Sequence, residues 1–195
     1  MKMHLPNILI IFRVLLIPVF LFFFLSAPPM QALGGSVPAF RIIAFIFFLT
    51  AALTDLLDGH LARKWNLVSN FGALMDPLAD KMLVCSALVA LAFRQELAAW
   101  IVILIICREF WVTSLRMLAL EQGRKVISAS VWGKIKTVLQ IIMVSALIAG
   151  RDIVALTGLV RFADVLTMIL IYLTILATVL SAVEYTRSYK DVFIA

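Results

Sequence analysis

Six apolar stretches, at roughly 6–26, 38–62, 72–93, 97–119, 130–150 and 160–186, take up most of this 195-residue chain. Each is near the ~20 residues a helix needs to cross the ~30 Å hydrocarbon core of a bilayer. Composition agrees: 64% hydrophobic and 14% charged residues leave too little polar surface to cover a water-soluble core. The mean hydropathy of +1.11 says the same. The expectation is an all-α integral membrane protein with six transmembrane helices. No repeat, low-complexity tract or long linker divides it, so residues 1–195 read as a single domain. The first stretch is longer than a signal-peptide core and lacks a small-x-small cleavage pattern after Ser26, so it reads as a membrane helix.

Basic residues are shared unevenly between the two sides of such a bundle. Lys2, Arg63, Lys64, Arg124, Lys125, Lys134, Lys136, Arg187 and Lys190 fall on the side of the termini, and Arg41, Arg94, Arg151 and Arg161 on the other. The positive-inside rule then makes both termini cytoplasmic, along with the 63–71 connection. The net charge of +6 is explained by cytoplasmic flanks and anionic membrane lipids; nucleic acid is not an expected partner. Cys85 and Cys107 lie in apolar runs without ligand-type spacing and read as small buried hydrophobes, with no disulfide or zinc site.

Against this apolar background four aspartates stand together. Asp55 and Asp58 are three apart near the end of the second stretch, and Asp76 and Asp80 are four apart near the start of the third. Either spacing puts a pair on one helix face. A short connection makes the two helices antiparallel neighbours, so the acidic faces converge at a similar depth. Gly59, Ala62, Gly72 and Ala73 allow backbones and a ligand to approach closely. Pro77 reads as lying one turn into the third helix.

Ionised carboxylates at such a border are costly and mark function by default. Four this close need compensation, and two divalent cations would supply it. Hard oxygen donors favour Mg²⁺, Mn²⁺ or Ca²⁺ over zinc, and a metal pair suits phosphoryl transfer. His60 is turned away from its acidic neighbours and reads as an interfacial residue. Salt bridges to Arg63, Lys64 and Lys81 are the structural alternative, which explains one aspartate better than four. A cation pathway would carry polar groups on toward the outer side, and here they stop. An intramembrane aspartyl protease needs only two carboxylates, in a different context.

A dianionic phosphate would need a basic pocket, and Arg108, Arg116, Lys134 and Lys136 are the candidates. Arg108 lies deep in an apolar helix, with Arg116 eight residues on and on a similar face. The alternative for Arg108 is a structural pair with Glu109 or another helix. Lys134 and Lys136 are two apart, about 200° around the helix, so one faces the pocket and the other snorkels to the surface.

The string Asp55-x2-Asp58-Gly59-x2-Ala62-Arg63-x8-Gly72-x3-Asp76-x3-Asp80 resembles the signature of the CDP-alcohol phosphotransferases. Those enzymes exchange the CMP of a CDP-linked lipid or alcohol for a second alcohol. The resemblance implies a six-helix membrane fold, a homodimer, a cytoplasm-facing cavity and two divalent metal ions, Mg²⁺ or Mn²⁺. It implies that Asp55, Asp58, Asp76 and Asp80 ligate metal, with Asp80 also the general base. Asn7, Asp58, Gly59, Ala62, Arg63 and Gly72 would meet the CDP-lipid.

Flanking strings are similar to bacterial inner-membrane members that use CDP-diacylglycerol and glycerol 3-phosphate. These are Leu5 to Leu9 with Arg13 and Pro18, Leu61 to Asn66, Met75 to Lys81, Arg108 to Phe110, and Trp132 to Thr137. Ile10 departs from the pattern, where a threonine is common. Members acting on inositol phosphate, serine or phosphatidylglycerol share the central motif.

Overall fold

The computed structural model describes residues 5–26, 39–65, 70–123, 130–155 and 160–190, with side chains placed at 11–26, 39–54, 78–79, 81–123, 130–149 and 161–190. These residues form six helices and no strand: α1 (Leu5–Ser26), α2 (Ala39–Trp65), α3 (Asn70–Phe93), α4 (Ala99–Glu121), α5 (Val131–Ala155) and α6 (Val160–Ser188). Each overlies one apolar stretch and ends within five residues of it.

Helix ends carry local signals. α4 stops at Gly123, whose φ of 66° is the left-handed conformation that closes a helix and costs glycine little. α3 stops the same way, but with Gln95 at φ 59°. Its N–H bonds the Ala92 carbonyl and that of Glu96 the Leu91 carbonyl. α5 starts under a serine cap, with Ser130 Oγ accepting the Gly133 N–H at 3.0 Å. Such a cap is worth about 1 kcal/mol.

α1 lies against α2 and α3, α5 against α6 and α2, and α4 against α6. The main core is built from Phe20 and Phe24 of α1, Ala44, Phe48 and Ala51 of α2, Leu88 and Leu91 of α3, Ile105 of α4, and Met143 and Ile148 of α5. Alanines on α2 let the phenylalanines close up: Phe20 lies 5.6 Å from both Phe24 and Phe48. Phe22 turns outward, while Phe23 stacks on Phe47.

The distribution of polarity is the reverse of a water-soluble protein's. Phe93, Tyr172 and Phe162 are 79%, 71% and 66% exposed, whereas Arg13, Lys136 and Ser181 are 0%, 3% and 0% exposed. In lipid an outward phenylalanine costs nothing, and an inward arginine escapes the hydrocarbon. The chain is a membrane protein. Val131–Ala149 and Arg161–Ser188 are each long and apolar enough to cross a bilayer, with shorter apolar segments at Ile11–Ser26, Ala39–Thr54 and Lys81–Phe93 among the described residues. Cys107 faces outward rather than into the core, and Cys85 is half-buried; neither forms a disulfide. A small apolar side chain gains nothing from burial when its surroundings are lipid.

The bundle has two ends marked by charge. At one, which we term the far end, Arg41 of α2, the Arg94–Glu96 turn after α3, the Phe24 carbonyl of α1 and the Leu147 and Ile148 carbonyls of α5 meet. At the near end the last turns of α4 and α6 meet the start of α5, through Arg116, Tyr185 and Ser130.

Candidate active site

Because α2 starts at the far end and α3 finishes there, Asp55 and Asp58 late in α2 and Asp76 and Asp80 early in α3 stand in the near half of the bundle. The two helices pack against each other. α3 begins at Asn70, so Pro77 lies about two turns in, not one, because Asn70 and Phe71 extend the helix ahead of Gly72. The side chains of the four aspartates, and of Asn7, Gly59, His60, Ala62, Arg63 and Gly72, lie outside the described residues.

Lys81 follows Asp80 in the chain and donates to the Thr113 hydroxyl of α4, which donates in turn to the Glu109 carbonyl at 2.7 Å. That link joins the acidic segment of α3 to the basic segment of α4. Arg108, on α4, donates through Nη1 to Glu109 Oε1 at 2.9 Å and through Nη2 to the Ser181 hydroxyl of α6. Lys136 of α5 donates to the same Glu109 oxygen. The expected pair of Arg108 with Glu109 is therefore formed, and Glu109 serves a second cation as well. Lys136 is buried and Lys134 exposed, the division that two positions about 200° apart require.

Lys81, Val84, Cys85, Glu109, Lys136, Thr137, Gln140 and Ile141 line a small, partly open pocket at this junction of α3, α4 and α5. A buried ion pair adds little net stability, yet removing one partner costs about 3–5 kcal/mol because a charge is stranded. Glu109 thus lets two cations stay inside the bundle.

Arg116 belongs to a neighbouring group. Its Nη2 donates to the Tyr185 hydroxyl at 2.7 Å, and the Ser130 N–H donates to the same oxygen at 3.0 Å. The guanidinium carbons of Arg108 and Arg116 lie 5.6 and 5.2 Å from the Tyr185 ring centroid, so one buried ring faces both arginines. Trp111 adds a hydrogen bond across the same seam, to Thr186 at 2.9 Å. The Nε–H of Arg108 and that of Arg116 are buried with no hydrogen-bond partner among the described residues, as is Glu184 Oε2. Glu109, Ser181 and Tyr185 are absent from the sequence-level site. Glu109 was visible beside Arg108, but nothing in the sequence tied Ser181 or Tyr185 to residues about 70 positions away.

Residues 3–185 match the model of the CDP-alcohol phosphatidyltransferase family. The chain belongs to that family. It is 41% identical over 177 residues to the CDP-diacylglycerol–glycerol-3-phosphate 3-phosphatidyltransferase of Bacillus subtilis (strain 168), covering 89% of this chain and 91% of the relative. Relatives of the same name from Haemophilus influenzae and Rickettsia bellii are 34% and 32% identical, each covering 97% of this chain, and 95% and 97% of the relatives. CDP-alcohol phosphatidyltransferases use divalent metal ions, and the donor set here fits them. Asp55, Asp58, Asp76 and Asp80 are hard oxygen donors, paired at helical spacing on two packed helices.

Proposed function

We propose that this chain transfers the phosphatidyl group of CDP-diacylglycerol to glycerol 3-phosphate, releasing CMP and forming phosphatidylglycerol phosphate. It does so as one domain with six membrane-crossing helices, in a homodimer, at the cytoplasmic face of a bacterial inner membrane. Support for the reaction comes from relatives that match along nearly the whole chain and are named for this donor and acceptor. The observation that carries the acceptor assignment is the inward-turned set of buried Lys136 and half-buried Arg108 and Arg116, in the half of the bundle that holds the aspartates. A phosphorylated acceptor calls for such cations; serine does not.

Asp55, Asp58, Asp76 and Asp80 would hold two divalent ions, Mg²⁺ or Mn²⁺, which when bound offset the carboxylate charge and polarise the diphosphate. Arg63 donates to the diphosphate as a planar fork, Gly59, Ala62 and Gly72 leave room for the nucleotide, and Asn7 contacts it. Arg108, Arg116 and Lys136 seat the acceptor phosphate, and Lys134 attracts it from the surface. Asp80 takes the proton of the glycerol 1-hydroxyl as that oxygen attacks the β-phosphorus. The bond from that phosphorus to the bridging oxygen breaks, and CMP leaves carrying that oxygen. Positioning and fixed charge supply most of the acceleration.

The test is CMP release by purified protein given CDP-diacylglycerol and Mg²⁺ or Mn²⁺, with glycerol 3-phosphate, inositol phosphate, serine and phosphatidylglycerol supplied separately. Release that requires glycerol 3-phosphate and metal is expected. Release with another acceptor alone would overturn the acceptor assignment, and no release with any would overturn the proposed reaction.

A further inference from the structure

Tyr185 is buried to 3% exposure in an apolar cluster with Val112, Leu115, Ala119 and Tyr189, yet it also meets groups that carry charge. Its ring faces the guanidinium groups of Arg108 and Arg116, and its hydroxyl accepts from Arg116 Nη2 and from the Ser130 N–H that opens α5. The ring also sits on Gly133. A Cβ there would come within 3.2 Å of Tyr185 Cε2 and 3.3 Å of its hydroxyl oxygen, closer than the ring tolerates without shifting. Four neighbours, two on α4 and two at the start of α5, therefore fix this side chain of α6.

An arginine has five N–H donors and a long, mobile stem, so ordering it at the moment of binding is costly. Holding it in the bound geometry beforehand removes that cost from binding. Here Arg108 spends two donors on Glu109 and Ser181, and Arg116 one on Tyr185, while each keeps a buried Nε–H without a partner among the described residues. Buried donors left in this way are the ones an anion can satisfy.

We propose that Tyr185 is a positioning residue of the acceptor site: it holds Arg108 and Arg116 in place for the phosphate of the acceptor alcohol. This rests on the reading of these arginines as the acceptor-phosphate site. Tyr185 itself touches no reacting atom, so its removal affects acceptor binding far more than turnover.

The experiment is steady-state CMP release by the full chain in detergent, with each substrate varied in turn, for wild type, Tyr185→Phe, Tyr185→Leu and Gly133→Ala. Phe keeps the ring over both arginines and removes the hydroxyl, and is expected to raise KM for glycerol 3-phosphate roughly tenfold, the loss of a hydrogen bond to a charged group. Leu removes ring and hydroxyl and is expected to raise it by on the order of a hundredfold. Ala at position 133 displaces the ring slightly and is expected to fall below Phe. In all three, kcat and KM for CDP-diacylglycerol stay within about twofold of wild type. Should the Leu variant fail to fold, the Phe and Ala variants decide.

An unchanged acceptor KM in the variants of an active wild type overturns the positioning role, as does an equal rise in both KM values with a lowered melting temperature. A wild type active only on a different phosphorylated acceptor overturns the substrate reading, and the same variant series on that acceptor then tests Tyr185. Activity with unphosphorylated acceptors alone, or none at all, overturns both.

Discussion

Each end of the bundle sets two arginines over one buried aromatic ring, and the two ends use them differently. At the far end Arg41 and Arg94 lie 5.6 and 5.2 Å from the Phe24 centroid; at the near end Arg108 and Arg116 lie at the same distances from Tyr185. Far-end donors are matched by acceptors. Arg41 reaches Glu96 at 2.5 Å and the Leu147 and Ile148 carbonyls at 2.9 Å; Arg94 reaches Glu96 at 2.9 Å and the Phe24 carbonyl at 3.0 Å. At the near end, among the described residues, Arg108, Lys136, Lys81 and Arg116 meet one carboxylate, Glu109, and neutral hydroxyls, and two Nε–H groups have no partner. A closed network holds helices together. An open one of the same residue types is left to be closed by a ligand.

Three substitutions sharpen that contrast, in descending order of effect. Asp80→Asn, in the near half, is expected to lower CMP turnover by roughly 10³-fold, as loss of a general base does, while melting temperature and CDP-lipid binding hold. Normal turnover would remove Asp80 from that role. Glu96→Gln, at the far end, is expected to do the reverse: it strands Arg41 and destabilises the protein by about 3 kcal/mol, read as a lower melting temperature, with KM for glycerol 3-phosphate unchanged. A raised KM with full stability would mean that the two ends are not separate. Lys134→Gln removes an exposed charge and is expected to raise acceptor KM about twofold at low salt and not at all at high salt. A large, salt-independent rise would place Lys134 inside the pocket.

The helices and the family were legible because the length of an apolar run and the fixed spacing of a motif are local properties of the chain. The division between Lys134 and Lys136 was legible for the same reason, since it follows from 100° per residue. The Arg41–Glu96 clasp and the contacts of Tyr185 were not, because their partners stand 55 and 69 positions apart. Only the packing of α2 near the turn after α3, and of α4 beside α6, brings them together. Gly133 could be read as a small residue near a helix start, but its reason is the ring pressed against it. Cys107 faces outward where its apolar run suggests burial, because an apolar residue in this chain is as stable in lipid as in the core.

The contrast comes to rest on Arg108, whose pairing with Glu109 resembles the far-end pairing of Arg41 with Glu96. The deciding measurement is the KM for glycerol 3-phosphate of Arg108→Gln, taken with its melting temperature. A rise in KM of roughly a hundredfold with melting within a few degrees of wild type is predicted for a cation that meets the acceptor phosphate. An unchanged KM with a sharp loss of stability would contradict it and make Arg108 a structural residue like Arg41.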